Sequence, residues 1–224
     1  MITDTQKNEL LNFAKQLREE HIPVVREQTS KLLCELIKKV KPQRILELGT
    51  AVGYSGTLML LSSPKSKLIT VELNENMCKK AYETFERYHV SNRVEIVNDD
   101  ILHFLDKTNR LLIEKENQID KKNFANTNQA ESRSIKYDFI FLDGPKGQYI
   151  KYYHLLKNLV SKNGIIFCDD VLYFGMVQDN SKVIHKKITI VRNLREFLSI
   201  AQNDEDFESK LLDVEDGVLI LRRK

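Results

Sequence analysis

Five short apolar runs, at 44–48, 67–72, 93–97, 137–142 and 164–168, alternate with segments of helical spacing, and this alternation constrains the fold more than any other feature. Each run is rich in Ile, Leu, Val or Phe, as expected of strands buried on both faces of a sheet. Apolar residues at helical spacing fill 54–62, 74–89, 99–107 and 148–160 between them. Repeated βαβ succession predicts a doubly wound, Rossmann-like α/β fold with helices on both faces of a mostly parallel sheet. Two leading helices, at 4–20 and 28–40, are separated by the extended segment Ile22-Pro23-Val24-Val25. After Gly175 a polar stretch leads to a helix near 186–201. Two closing runs, 207–214 and 217–222, predict an antiparallel hairpin at one edge of the sheet.

A chain of 224 residues, 42% of them hydrophobic, is long enough for one sizeable core, so a single domain spanning 1–224 is expected, with the leading helices occupying 1–41. Segment 109–136 is polar, charged and weakly periodic, which predicts a surface insertion, partly disordered, whose Leu111-Leu112-Ile113 extends the preceding helix. No apolar run is long enough for a bilayer, and Asp4 precedes any hydrophobic stretch, unlike a secretory signal. A cytoplasmic protein is expected. Cys34, Cys78 and Cys168 form an odd set without CxxC spacing and read as buried free thiols. The five histidines lack metal-ligand spacing, which disfavours zinc. With 35 basic against 32 acidic residues, the charge permits an RNA partner without requiring one.

The first strand runs into Glu47-Leu48-Gly49-Thr50-Ala51-Val52-Gly53-Tyr54-Ser55, where glycines let the backbone approach a ligand at the carboxyl end of the sheet. The spacing matches neither GxGxxG, nor a P-loop, nor GxSxG. Glu72 closes the second strand, where folds of this kind set an acid against ribose hydroxyls. Glu47, Glu72 and Asp143 crowd one crevice with negative charge, which repels a pyrophosphate and suits a cationic sulfonium. S-adenosylmethionine therefore fits better than a nicotinamide dinucleotide. Asp99-Asp100 reads equally as a helix cap and as a partner for an adenine amino group. Glu47 lies inside a buried run, where an unpartnered carboxylate is costly.

Asp143, Lys146 and the pair Asp169-Asp170 follow two neighbouring strands and supply the hard oxygen donors of a divalent cation beside an amine. One such aspartate alone is usually a turn or a cap, but together, next to the glycine loop, they point to catalysis. Lys146 serves either as proton acceptor or as a cation facing an oxyanion. The aromatic run Tyr149, Tyr152 and Tyr153 reads as helix packing.

Together ILELGTAVGYSG, the acid of TVELN, DFIFLDGPKGQY and IIFCDDVLYFGMV resemble the bacterial cation-dependent O-methyltransferases of the catechol and caffeoyl-CoA superfamily, nearest to the tRNA 5-hydroxyuridine methyltransferase group. The similarity runs from about Ile22 to the last residue, omitting the insertion. The resemblance implies a class I methyltransferase sheet, commonly in a homodimer. It places Val25 against the methionine part of the cofactor, Gly49, Tyr54 and Ser55 in the cofactor loop, Glu72 on the ribose, and Asp99 and Asp100 beside the adenine. Asp143, Asp169 and Asp170 fall at the ligands of a Mg2+ ion and Lys146 at the proposed base. One position departs from the pattern: the last ligand is usually Asn, and here it is Asp170.

The implied acceptor is 5-hydroxyuridine at the wobble position of tRNA, giving 5-methoxyuridine, with a small catechol-like phenol as the alternative. The basic clusters Lys38-Lys39-Lys41, Lys182 with Lys186-Lys187, and Arg192 with Arg195 are candidate phosphate contacts. A non-catalytic RNA-binding relative of the fold is disfavoured, because binding alone has no use for a repulsive carboxylate cluster.

Overall fold

Strand β4 (Tyr137–Leu142) shows why these runs are mostly apolar: Phe139 and Phe141 face one helical layer, Ile140 and Leu142 the other, and all four are fully buried. The computed structural model describes residues 4–122 and 135–224. Helices α1 (Asp4–Glu19) and α2 (Glu27–Val40) lead into β1 (Arg44–Leu48), α3 (Tyr54–Ser62), β2 (Lys67–Glu72), α4 (Glu75–Arg87) and β3 (Val94–Asn98). Then follow α5 (Ile101–Lys122), β4, α6 (Tyr149–Leu159), β5 (Val160–Cys168), α7 (Ile188–Gln202), β6 (Phe207–Leu212) and β7 (Val218–Arg223).

The seven strands lie in the order β3-β2-β1-β4-β5-β7-β6, with β1 to β5 parallel. Strand β7 inserts antiparallel between β5 and β6, so the outermost strand β6 runs in the same direction as the first five. The chain order reverses between β1 and β4, where a crevice opens beyond the carboxyl ends of the strands.

Helices α1 to α4 pack on one face over Ile45, Leu68, Phe139 and Phe167, and α5 to α7 on the other over Leu46, Val71, Ile140 and Ile166. Each of these fully buried side chains contributes about 1.5–3 kcal/mol. Among the described residues no helix is long and apolar enough to cross a membrane.

Two expectations change. The helix expected at 99–107 continues to Lys122, because Leu105 and Leu112 both face the core and the Asn109 amide donates to the carbonyls of Leu105 (2.9 Å) and Leu155 (3.2 Å). Asn109 thereby ties α5 to α6, so the first part of the expected insertion is a structural helix. Residues 123–134, on which the expectation of disorder falls, lie outside the described residues. Strand β5 begins at Val160 rather than at 164, directly from α6, and a register shift against β4 between Tyr137 and Phe139 absorbs the extra length. Cys168 is buried and Cys34 and Cys78 are half-buried, all three free thiols.

Side chains lock the amino ends of the strands. Asp138 accepts from the amides of Gln43 (2.9 Å) and Arg44 (3.1 Å) and from the Ser161 hydroxyl (3.0 Å), joining β1, β4 and β5. The Arg93 guanidinium donates to the carbonyls of Leu60 (3.1 Å), Ser63 (3.2 Å) and Ser66 (3.1 Å), gathering the free carbonyls at the end of α3. Replacing Arg93 by Ala should cost about 2 kcal/mol, lowering the melting temperature by about 4–8 °C with the crevice unaffected. Calorimetry of the variant checks this.

Candidate active site

The crevice at the carboxyl ends is a cavity of about 890 Å³, bounded by Val25 and Arg26, Gly49 and Ala51, Glu72, Asp100, Asp143, Lys146, Asp169 and Asp170. Its two halves meet backbone to backbone. Gly49 has φ of 102°, and a Cβ there would sit 2.5 Å from the Asp143 carbonyl oxygen. Only glycine permits that approach, while the Asp143 amide donates to the Leu48 carbonyl at 3.0 Å.

On the β1–β2 side, Glu72 fixes the turn after β1. Its Oε2 accepts from the Ala51 amide (3.0 Å) and its Oε1 from the Asn74 amide (2.8 Å). A carboxylate has about four lone-pair positions, so Glu72 keeps acceptors facing the cavity. Asp100 caps α5 by accepting from the amides of Leu102 (2.8 Å) and His103 (3.1 Å), and it also lines the cavity. The cap is thus observed, and it leaves Asp100 at the cavity wall. Asp99 instead turns to His103 Nδ1 at 2.8 Å and is not among the lining residues.

Glu47 is fully buried on the α3 face, its carboxyl accepting from the hydroxyls of Ser55 (2.5 Å) and Thr70 (2.6 Å). Tyr54 packs edge-on against Phe13. Glu47, Tyr54 and Ser55 therefore stand behind the glycine loop and brace it, without lining the cavity. Burial first, then the charges of Asp143 and Glu72, push the Glu47 carboxyl up to about 7 against its two hydrogen bonds.

On the β4–β5 side, one oxygen each from Asp143, Asp169 and Asp170 lies within 4.8 Å of the others. Burial, then the charges of Asp143 and Asp170, push Asp169 up to about 8. Burial also raises Asp170, with Asp143 adding to it and Lys146 opposing. Three hard oxygen donors carrying more negative charge than one amine offsets fit a hard divalent cation. Asp170 has φ of 54°, a left-handed conformation that Asp and Asn tolerate better than most residues.

Lys146 Nζ donates to Asp143 Oδ1 at 2.6 Å and to the Tyr149 hydroxyl at 3.0 Å, and stands 3.7 Å from Asp170 Oδ2. Burial alone would favour the neutral amine, but Asp143, Tyr149 and Asp170 outweigh it and hold Lys146 well above the ordinary lysine range. Tyr149, which the sequence suggested was only packing, places its hydroxyl 3.1 Å from the carbonyls of both Leu142 and Asp169. It bridges the ends of β4 and β5 while accepting from the lysine. A hydroxyl-bearing side chain three residues after Lys146 was the available signal.

A second residue missed from sequence is Arg26. It pairs with Asp216 Oδ2 at 2.6 Å and stands 5.7 Å over the exposed Phe174 ring at the cavity mouth. In the turn between β6 and β7, Glu215 accepts from the amides of Gln28 (3.2 Å) and Thr29 (2.9 Å), capping α2 from the far end of the chain. The same turn receives the amides of Val171 (3.0 Å) and Leu172 (2.7 Å).

The profile of a family described as O-methyltransferase matches residues 4–224. Caffeoyl-CoA O-methyltransferase 5 of Nicotiana tabacum is 28% identical over 193 residues, 84% of this chain and 72% of its own. A Staphylococcus aureus structure, provisionally assigned as a caffeoyl-CoA O-methyltransferase, superposes with a TM-score of 0.80 at 24% identity, covering 99% of this chain and 96% of the other. The O-methyltransferase of Bacillus cereus in complex with SAH gives a TM-score of 0.74 at 22% identity, covering 99% and 92%. These structural likenesses place the fold.

Two outcomes follow from the geometry. Because the folded pKa of Glu47 lies above its unfolded value of 4.5, its protonated carboxyl contributes stability that is complete below about 4.5 and lost as pH rises through about 7. Urea unfolding between about pH 5 and about pH 8 should show the wild type losing up to about 3 kcal/mol relative to Glu47→Gln. Tyr149→Phe should keep the fold but loosen Lys146, lowering kcat about tenfold with the KM for the methyl donor unchanged.

Proposed function

The chain belongs to the O-methyltransferase family, whose profile spans nearly all of it, and on that premise we propose methyl transfer from S-adenosylmethionine to a hydroxyl oxygen positioned beside a Mg2+ ion. The observation that carries this reading is the meeting of two unlike half-sites at Gly49 and Asp143: a crevice wall suited to a nucleoside and an oxygen-donor cluster with its amine.

Glu72 and Asp100 present carboxylates toward ribose hydroxyls and an adenine amino group, and the 23–26 segment walls the opposite side. Asp143, Asp169 and Asp170 would hold the cation. When bound, the cation supplies charge that lowers the pKa of an acceptor hydroxyl, and S-adenosylmethionine supplies the methyl. Lys146, kept protonated by Asp143 and Tyr149, faces the developing oxyanion as a fixed cation. It becomes a proton acceptor only when the carboxylates around it are neutralised, which lowers its pKa. Tyr149 holds the ammonium in place through the ends of both strands.

For the acceptor, we propose the 5-hydroxyl of 5-hydroxyuridine in tRNA, which offers a neighbouring 4-carbonyl oxygen. The resemblance of the motifs around Gly49, Glu72, Asp143 and Asp169 to those of the tRNA 5-hydroxyuridine methyltransferase group supports that reading. The likeness to the Nicotiana tabacum caffeoyl-CoA enzyme supports a small catechol-like phenol as the second one.

Titration with S-adenosylmethionine and S-adenosylhomocysteine in the presence of Mg2+ should show binding, and no affinity for either would sink the proposal. Asp143→Ala should abolish turnover, while Asp170→Asn keeps it and Lys146→Ala loses about 10²–10⁴-fold in kcat. The reverse ranking of the two aspartates would mean that the ligand set is misassigned. Nucleoside mass spectrometry of tRNA from a deletion strain separates the acceptors: 5-methoxyuridine and its derivatives should disappear, and unchanged levels would favour the phenol.

A further inference from the structure

A second concavity, of about 1030 Å³, opens at the amino ends of β1 and β2, on the opposite edge of the sheet from the active site. Its wall carries Lys38, Lys41, Arg44, Lys65 and Lys67, with no acidic residue among the lining side chains. The four lysines are exposed, while Arg44 is half-buried with its guanidinium 5.2 Å over the Tyr137 ring. Some lysines elsewhere are answered locally, as Lys31 is by Glu27, Lys79 by Glu75 and Lys157 by Asp204. Asp138, whose carboxylate binds the Arg44 amide, already accepts from two backbone amides and the Ser161 hydroxyl.

The ends of α2 and α3 reach this concavity; Arg93 already takes the carbonyls at the end of α3, and the carboxyl-terminal dipole of α2 offsets roughly half a unit of the positive charge. Among the described residues none of the five cations forms an ion pair. The chain carries a formal charge of only +3, so five cations in one cavity leave the remainder net negative. The active-site wall, with Glu72, Asp100, Asp143, Asp169 and Asp170 against Arg26 and Lys146, is part of that negative remainder. A polyanionic acceptor gains little attraction there and needs a cationic anchor elsewhere.

We propose that this amino-end cavity binds the phosphate backbone of the RNA whose base enters the active site. The inference rests on the tRNA reading above. The five residues of β1 separate the two sites by roughly 17 Å at about 3.3 Å per residue, a distance that one folded RNA bridges and a small phenol does not.

The test neutralises the four lysines together, as Lys38→Gln, Lys41→Gln, Lys65→Gln and Lys67→Gln. A control of equal charge change replaces Lys15, Lys79, Lys80 and Lys210 by Gln. Total tRNA is the probe, with binding measured against salt, alongside S-adenosylhomocysteine affinity and methyl transfer to 3,4-dihydroxybenzoate. The cavity variant should lose at least about tenfold in tRNA affinity and reduce the slope of log affinity against log salt by about three units. The control variant should keep both, and both proteins should bind S-adenosylhomocysteine as the wild type does. Equal losses in the two variants, or none in the cavity variant, would overturn the proposal. Wild-type protein that binds S-adenosylhomocysteine and methylates the catechol but ignores tRNA would overturn it together with the tRNA reading. Failure to bind S-adenosylhomocysteine at all would instead strike the methyltransferase reading beneath it.

Discussion

Mutual repulsion among Asp143, Asp169 and Asp170 is the constraint around which the carboxyl end of this sheet is organised. Carboxylates within 4.8 Å of one another in a half-buried setting stay together where the backbone holds them and where a cation or a retained proton, as on the raised Asp169 carboxyl, relieves the repulsion. Parallel pairing of β4 with β5 supplies the first condition, with the Asp169 amide donating to Leu142 at 3.0 Å. Lys146, steadied by Tyr149, supplies part of the second, and the oxygen donors that remain are of the kind a hard cation takes. Strain is stored there too, in the left-handed backbone of Asp170.

The sheet was legible in the sequence because its core strands are buried on both faces, so β1, β2 and β4 read as short, mostly apolar runs broken only by single polar residues such as Glu47, Thr70 and Asp138. Where burial is incomplete, legibility falls. Strand β5 starts among the polar residues Ser161, Lys162 and Asn163, which no apolar pattern marks. Helix α5 continues through a charged stretch on the strength of Leu112 and a buried Asn109, too few signals for periodicity to register.

Of the candidate site residues, Gly49, Glu72, Asp100, Asp143, Lys146, Asp169, Asp170 and Val25 converge on one cavity. They sit at strand ends or on the approach to α2, positions that βαβ topology brings together without knowledge of side-chain packing. Glu47, Tyr54 and Ser55 lie one layer behind, because alternation along β1 sends Glu47 to the face opposite Leu46 and Leu48. Arg26, Tyr149 and the turn at Glu215 and Asp216 were not legible as site residues. Their roles depend on partners distant in sequence or on a hydroxyl that looks like ordinary packing.

The turn between β6 and β7 has a consequence for the order in which the protein becomes competent. Glu215 and Asp216 grip α2 and Arg26 across 186 to 190 positions of chain, and the same turn receives the amides of Val171 and Leu172. During synthesis, the cavity wall at Arg26 and the loop after Asp170 both lack these contacts until the β6–β7 turn has emerged. The turn thus clasps the approach to α2 and the loop after β5 together, a long-range closure that forms after both segments have been made.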